Sequence, residues 1–223
     1  MCSQNFVDEL TDWAYEYRRP VEIFQRLEYW RGRSRLGHFF NDPKLKKLHE
    51  VWVMAYAGMA HELLEKLEAD VCVVKEQDTW VDGKVRTSAC VTDYQVALVD
   101  RLGRAMGREY REVADRRNEV KTPYRPLSIE GVSQRVREGV HKKVQKCYAG
   151  QPNLLLNVNL QSNGYSFQQM AAMTQDFAHK FESIWVLCGL VPEHHPDFTQ
   201  NTNRYVHLPD GYGFIRLHPS LGI

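Results

Sequence analysis

The amino-acid sequence predicts a single α/β domain, in which helices flank a sheet that combines antiparallel and parallel strands. Three observations support this prediction. A long helical pattern precedes a run of short strands, a strand-helix-strand succession follows in the second half, and no linker rich in Gly, Ser or Pro interrupts the 223 residues. A chain of this length buries one substantial core. We divide it into a helical extension over residues 1–42, a core over 43–188, and a C-terminal loop and hairpin over 189–223.

Two helices are predicted in the extension. Residues 4–17 place apolar side chains at helical spacing, and a second helix is expected from Val21 to Trp30, after Pro20. The two helices carry more aromatic side chains than one helix pair needs for its own packing, namely Trp13, Tyr15, Tyr17, Phe24, Tyr29 and Trp30. We therefore expect a homodimer contact or a protein partner at this surface.

The most strongly patterned helix follows the cap signal Asn41-Asp42-Pro43 and contains an apolar run at residues 51–60. A strand rich in β-branched residues is predicted at residues 69–74. After the turn signal Asp82-Gly83, apolar and polar residues alternate over residues 84–99, which predicts further strands. Together with the first strand they would form a three-stranded antiparallel meander.

The second half of the core predicts a parallel arrangement. Residues 128–148 carry an apolar stripe at helical spacing. A buried strand at residues 153–160, a helix at 167–181 and a strand at 183–188 form a crossover, which implies parallel pairing. A terminal hairpin is expected around Pro209-Asp210-Gly211.

The net charge of the chain neither indicates nor excludes binding to DNA or RNA. Lys and Arg total 29 against 28 Asp and Glu, a net charge of +1, so no strong basic excess indicates nucleic-acid binding by itself. Arginine-rich stretches at residues 31–35 and 101–117 could contact phosphates, although the acids among them favour a salt-bridged surface.

Composition also excludes several classes of protein. No stretch is apolar enough to span a membrane and no leader pattern opens the chain, so we expect a cytoplasmic location without membrane contact. The five cysteines are scattered and never form a CxxC pair, which predicts reduced thiols rather than disulfides or structural zinc. The His194-His195 pair, His207 and His218 lack the fixed spacing of a transition-metal site.

The order helix, meander, helix, strand, helix, strand over residues 43–188 resembles the αβββαβ core of the PD-(D/E)XK, or restriction-endonuclease-like, nucleases. Short strings along the chain also resemble a bacterial branch of unknown function with that fold: His49-Glu50-Val51-Trp52, residues 107–112, residues 142–148, residues 153–160 and Ile184-Trp185-Val186-Leu187. The resemblance implies a mixed central sheet flanked by helices and a metal-dependent site.

Active members need an acid at the start of the second core strand and an acid-X-Lys triplet on the next strand. Two carboxylates hold Mg²⁺ or Mn²⁺ there, and the lysine helps to orient the attacking water. The resemblance puts Asp70 at the first acid, and puts Gln95 and Ala97 where the triplet has its acid and its lysine. Asp93 or Asp100 could supply the missing metal-binding carboxylate if the register differs by a residue or two.

Lys143 is the candidate for the missing lysine, because this lysine can migrate to a neighbouring helix in the superfamily. At about 100° per residue it falls within the apolar stripe of its helix, and an inward ammonium needs a carboxylate or phosphate partner. The alternative is a packed stem whose ammonium reaches solvent. On the first core helix we expect Glu62 rather than Glu50 to face the metal, because Glu62 lies near the apolar stripe.

Two functions follow from the resemblance. The first is a nuclease that hydrolyses DNA or RNA phosphodiesters with Mg²⁺ or Mn²⁺ at an atypical site formed by Asp70, Gln95, Lys143 and Glu62. The alternative is a catalytically inactive interaction module of a defence or mobile-element system, in which the changes at Gln95 and Ala97 mark a decayed metal site. No glycine-rich phosphate loop, serine elbow or Cys/His pair indicates another class of enzyme.

Overall fold

The structure, a computed structural model, has a mixed α/β architecture built on a seven-stranded sheet. It describes residue 9 and residues 11–31, 46–75, 80–100, 127–146, 150–160, 164–189 and 205–218. The helices are α1 (Pro20–Arg31), α2 (Lys46–Glu65), α3 (Ile129–Val144) and α4 (Phe167–Thr174). The strands are β1 (Ala69–Val73), β2 (Gly83–Thr87), β3 (Val91–Asp100), β4 (Asn153–Asn159), β5 (Ile184–Cys188), β6 (Tyr205–Leu208) and β7 (Tyr212–His218).

The sheet has the strand order β1-β2-β3-β4-β5-β7-β6. Strands β3, β4 and β5 pair in parallel, and every other pair is antiparallel. The predicted meander, the parallel crossover through α4 and the terminal hairpin are confirmed. The crossover helix ends earlier than predicted, because the chain tightens into a 3₁₀ helix at Gln175–Lys180.

Helix α2 covers one face of the sheet. It is buried over most of its surface, as its apolar run predicts, and it packs against α1 and against strands β1, β2, β5 and β6. Gly58 is required at this junction, because a β-carbon there would lie 2.5 Å from Val71 Cγ1 and 2.7 Å from Pro20 Cγ. The missing side chain lets α1, α2 and β1 approach one another.

Helices α3 and α4 cover the opposite face. Ser128 caps the N-terminus of helix α3: its hydroxyl accepts a hydrogen bond from Gly131 N at 3.1 Å. The helix buries Val132, Val136 and Val140 against the sheet. Three basic residues in its last turn suit the negative end of the helix dipole. Its α-helical span, Ile129–Val144, is shorter than the predicted 128–148.

The first predicted helix is only partly correct. Residues 11–14 are helical, but the chain leaves the helix before residue 17, and Arg18 pairs with Val71 at the outer edge of β1. Two backbone hydrogen bonds of 2.9 and 2.8 Å join these residues. The edge of a sheet offers unpaired backbone groups, and here their satisfaction overrides the helical pattern.

The premise of an aromatic surplus in the extension does not hold. Trp13, Tyr15 and Phe24 pack against the core beside α2, and the guanidinium groups of Arg18 and Arg26 lie 5.0 and 4.8 Å from the Trp13 ring centroid. The Tyr17 ring lies under Arg86, and Tyr29 alone is strongly exposed among the described aromatics of this segment. The partner surface predicted for these helices stays a prediction with less support. No helix within the described ranges is long and apolar enough to cross a membrane.

Candidate functional site

The side chain of Lys143 points into the fold and meets two oxygen atoms. Its Nζ donates hydrogen bonds to Asp82 Oδ2 at 3.0 Å and to Gln95 Oε1 at 2.9 Å, and only 13% of its side chain is exposed. The sequence-based prediction of an inward lysine with a carboxylate partner is therefore confirmed in its geometry. The partner is a residue that the sequence analysis treated as part of a turn.

Periodicity explains how α3 and β3 bring these side chains together. Lys143 lies three residues after the buried Val140, so both lie on the face of α3 that packs on the sheet. Successive residues of β3 point to opposite faces, so Tyr94 and Val96 contact the core beside α2 while Gln95 faces α3. Gln95 is almost completely buried, which is costly for an amide unless it is hydrogen-bonded.

Asp82 is fixed by its backbone as well as by its carboxylate. It directly precedes β2, its N–H donates to Tyr94 O at 2.8 Å, and its carbonyl accepts from Val74 N at 3.0 Å. Asp82 Oδ2 also accepts a hydrogen bond from Val96 N at 2.7 Å. The carboxylate is thus held between two strands, and with 22% of its side chain exposed it remains open to solvent on one side.

Burial lowers the pKa of the Lys143 ammonium from its usual value. The charge of Asp82 and its hydrogen bond oppose this effect, and the charge of Glu50 opposes it weakly, whereas the like charge of Lys146 adds to it. Loss of water is the larger effect, so this ammonium is more acidic than an exposed lysine.

A second lysine links helix α2 to the same end of the sheet. Lys47 Nζ lies 2.9 Å from Glu50 Oε2 and donates a hydrogen bond of 2.8 Å to Val74 O. Val74 is the residue whose N–H bonds to the carbonyl of Asp82. Glu50, 3% exposed, is therefore held at the end of α2 that lies nearest to Asp82, and its charge acts on Lys143.

The structure does not bring Asp70 to the Lys143 cluster. Asp70 Oδ2 forms an ion pair of 2.8 Å with Arg86. Its position in the sheet is two strands across and four residues along from Gln95, which is about 16 Å at ordinary strand spacings. Asp70 lies on β1, the first strand of the sheet in chain order, whereas Asp82 directly precedes the second.

Glu62, which the sequence favoured over Glu50, also lies away from the Lys143 cluster. Glu62 pairs with Arg19 at 2.8 Å and accepts a hydrogen bond from Ala69 N at 3.2 Å, close to the start of β1. It lies near the far end of α2, about 18 Å along the helix axis from Glu50. Because α2 is buried on most sides, nearness to its apolar stripe does not tell which of the two glutamates faces the interior.

Of the other predicted acids, Asp93 does not join the cluster. Asp93 lies on the same face as Gln95, but it pairs with Lys84 at 3.3 Å. Asp100 ends β3, and its side chain lies outside the described residues. Ala97 packs beneath α3 in the second core cluster.

The remaining sequence candidates lie partly outside the described residues. Residues 32–35, residues 101–117 and the His194-His195 pair lie outside the described ranges. His207 is on β6, while His218 on β7 bonds through Nε2 to Thr174 Oγ1 at 2.8 Å. Where the structure describes the chain, no three side chains of His, Cys, Asp and Glu group as metal ligands.

The oxygen atoms around Lys143 nevertheless suit a hard cation. A carboxylate oxygen of Asp82 and an amide oxygen of Gln95 converge on one positive charge, that of the ammonium. Mg²⁺ favours oxygen ligands and is commonly bound by one or two carboxylates, with water and substrate phosphates completing its coordination. These residues would thus hold such an ion with few protein ligands.

No protein-family model, curated protein or solved structure matches the chain. Any function has to be argued from the site itself, since folds of this class serve many activities.

Proposed function

We propose that this chain is a PD-(D/E)XK-like nuclease that hydrolyses phosphodiesters of DNA or RNA with Mg²⁺ or Mn²⁺. Its site consists of Asp82, Gln95 and Lys143, and the charge of Glu50 on α2 acts on Lys143. The observation that carries the proposal is the convergence of Lys143, from helix α3, on an acid before the second strand and a glutamine on the third.

The order of elements supports the same proposal. Helix α2, strands β1 to β3, helix α3 and strand β4 follow one another as in the αβββαβ core of these nucleases. Asp82 occupies the place of the first acid and Gln95 the place of the second. Ala97 stands where the triplet has its lysine, and Lys143 supplies the missing ammonium from helix α3.

The residues of the cluster fit the chemistry of phosphodiester cleavage. An ion bound at Asp82 and Gln95 would supply positive charge to the phosphate and lower the pKa of the attacking water. Once such an ion occupies the two oxygens, the Lys143 ammonium next to them would be free to donate hydrogen bonds to a phosphate oxygen or to orient the water. The hydrogen bond from Val96 N keeps the Asp82 carboxylate in place during these steps.

One observation favours the inactive interaction module as a second candidate. Lys143 already satisfies Asp82 and Gln95 with a charge-balanced contact, so the cluster is stable without any ion. A decayed site would keep this contact as part of the fold.

Incubation of the full chain with single- and double-stranded DNA and RNA, in Mg²⁺ or Mn²⁺, tests the proposal. We expect cleavage that Asp82→Asn and Lys143→Met both abolish. Asp70→Asn is the matched control, since it removes a carboxylate from an ion pair on the same sheet, remote from the cluster. Cleavage that survives Asp82→Asn would refute the site, and binding without cleavage by the unaltered chain would favour the second candidate.

A further inference from the structure

An indole ring lies next to the proposed site. Trp80 is partly exposed and precedes Asp82 by two residues, while Val81 between them is buried. The ring rests on Gly150, since a β-carbon added there would lie 3.4 Å from Trp80 Cζ2 and 3.5 Å from Cη2. Gly150 lies between α3 and β4, and Asp82, two residues after Trp80, contacts Lys143 of α3.

The surroundings of Trp80 differ from those of the other described tryptophans. Trp13 lies under two arginines, Trp52 packs edge-on against Tyr56 and Tyr212, and Trp185 stacks on Phe214. Among the described residues, Trp80 has no ring or cation against its π-face.

Gly150, the residue beneath the ring, has a backbone conformation that favours glycine. Gly150 has φ of +96°, a conformation that side-chain-bearing residues rarely adopt, so the position favours glycine and the backbone stays bare where the indole edge rests on it. The ring is thereby supported on one edge, and it remains partly open to solvent.

We propose that Trp80 stacks on a nucleobase next to the phosphodiester held at Asp82 and Lys143, so that the substrate is single-stranded nucleic acid. This inference rests on the proposed function and names its substrate class. A base can lie on an indole only when it has left its own stack, which single strands allow at little cost and duplexes resist. Stacking of this kind tolerates any base, so little sequence preference is expected.

Binding of fluorescein-labelled oligo(dT), oligo(U) and a duplex of equal length, measured by anisotropy in EDTA, tests the inference without cleavage. We expect Trp80→Ala to weaken binding of the single strands about 5- to 150-fold and to change duplex binding less than about twofold. Trp80→Phe keeps a ring and should retain most of the affinity. Oligo(dT) and oligo(U) together show whether DNA or RNA is preferred.

Tryptophan fluorescence separates stacking from a structural role of Trp80. Saturating oligo(dT) should quench the fluorescence of the unaltered chain, and Trp80→Phe should lose that quenching while it still binds. Tyr29→Ala, at an aromatic on α1 that is 54% exposed, is the control and should leave both signals unchanged.

The outcomes distinguish this inference from the proposed function. If Trp80→Ala binds single strands as well as the unaltered chain does, while Lys143→Met abolishes cleavage, stacking is refuted and the nuclease stands. Tighter binding of the duplex than of the single strands would also refute stacking. A chain that neither binds nor cleaves any of these nucleic acids would overturn both.

Discussion

Replacing Lys143 with methionine isolates the charge of the cluster, because methionine keeps a long unbranched stem and removes only the ammonium. The change takes away a hydrogen bond of 3.0 Å to Asp82 and one of 2.9 Å to Gln95. Loss of one partner from a buried ion pair costs about 3–5 kcal/mol, whereas exposed pairs contribute about 0–1 kcal/mol. The side chains here are 13% and 22% exposed, and methionine escapes the desolvation that lowers the pKa of Lys143. We therefore expect the free energy of unfolding to fall by about 1–3 kcal/mol.

Urea denaturation at neutral pH, followed by circular dichroism and tryptophan fluorescence, measures this loss. The double variant Lys143→Met with Asp82→Asn should show a coupling energy of about 1–2 kcal/mol, because both changes break one contact. Lys143→Met with Asp70→Asn should be additive within about 0.5 kcal/mol, since Asp70 lies far from the cluster. A coupling between Lys143 and Asp82 below about 0.5 kcal/mol would refute the claim that their contact stabilises the fold.

Three further predictions concern the same fold. Mn²⁺ should raise the melting temperature of Lys143→Met more than that of the unaltered chain, because the ammonium no longer competes for the two oxygens; an equal rise in both would contradict the cation site. Burial lowers the pKa of His218 below its usual 6.5, so its contribution to stability is present above about pH 6.5 and is lost as the pH falls through the folded-state pKa. His218→Gln should remove that part of the pH dependence of the urea midpoint, and an unchanged pH profile would contradict it. Gly58→Ala should lower the free energy of unfolding by about 1–3 kcal/mol because its methyl group clashes with Val71, even though alanine favours helices. Gly131→Ala is the control: the nearest neighbour of its β-carbon would lie at 3.5 Å, so the change should be neutral or should stabilise the protein by up to about 1 kcal/mol in the same assay.

Local patterns predicted most of the elements and one residue of the candidate site. Helix α3 and strands β3 and β4 follow from apolar periodicity, because each buries a face whose spacing is visible in the sequence. The inward direction of Lys143 follows from the same spacing, since Val136 and Val140 define the buried side of α3. Gln95 was named from its place relative to the resembled triplet, and it accepts a hydrogen bond from Lys143.

The rest of the site depends on contacts that sequence spacing does not encode. Asp82 beside Gly83 has the composition of a turn, and its burial depends on hydrogen bonds to residues of two other strands, Val74 and Val96. Glu50 could not be chosen from a helical wheel, because a helix buried on most sides has no outward face to exclude. Tertiary pairing at the sheet edge likewise overrode the helical pattern before Arg18.

The bridge between Arg18 and Val71 also affects the tendency of the protein to aggregate at high concentration. Strand β1 is the first in the sheet, so its outer side would otherwise present backbone donors and acceptors to any neighbouring molecule. The segment before α1 occupies that side through two backbone hydrogen bonds. A chain shortened to begin at Pro20 would lose part of its core, including the buried Ala14, and would expose this edge, so we expect its copies to associate strand to strand. The N-terminal segment therefore covers the edge of β1 and opposes aggregation through it.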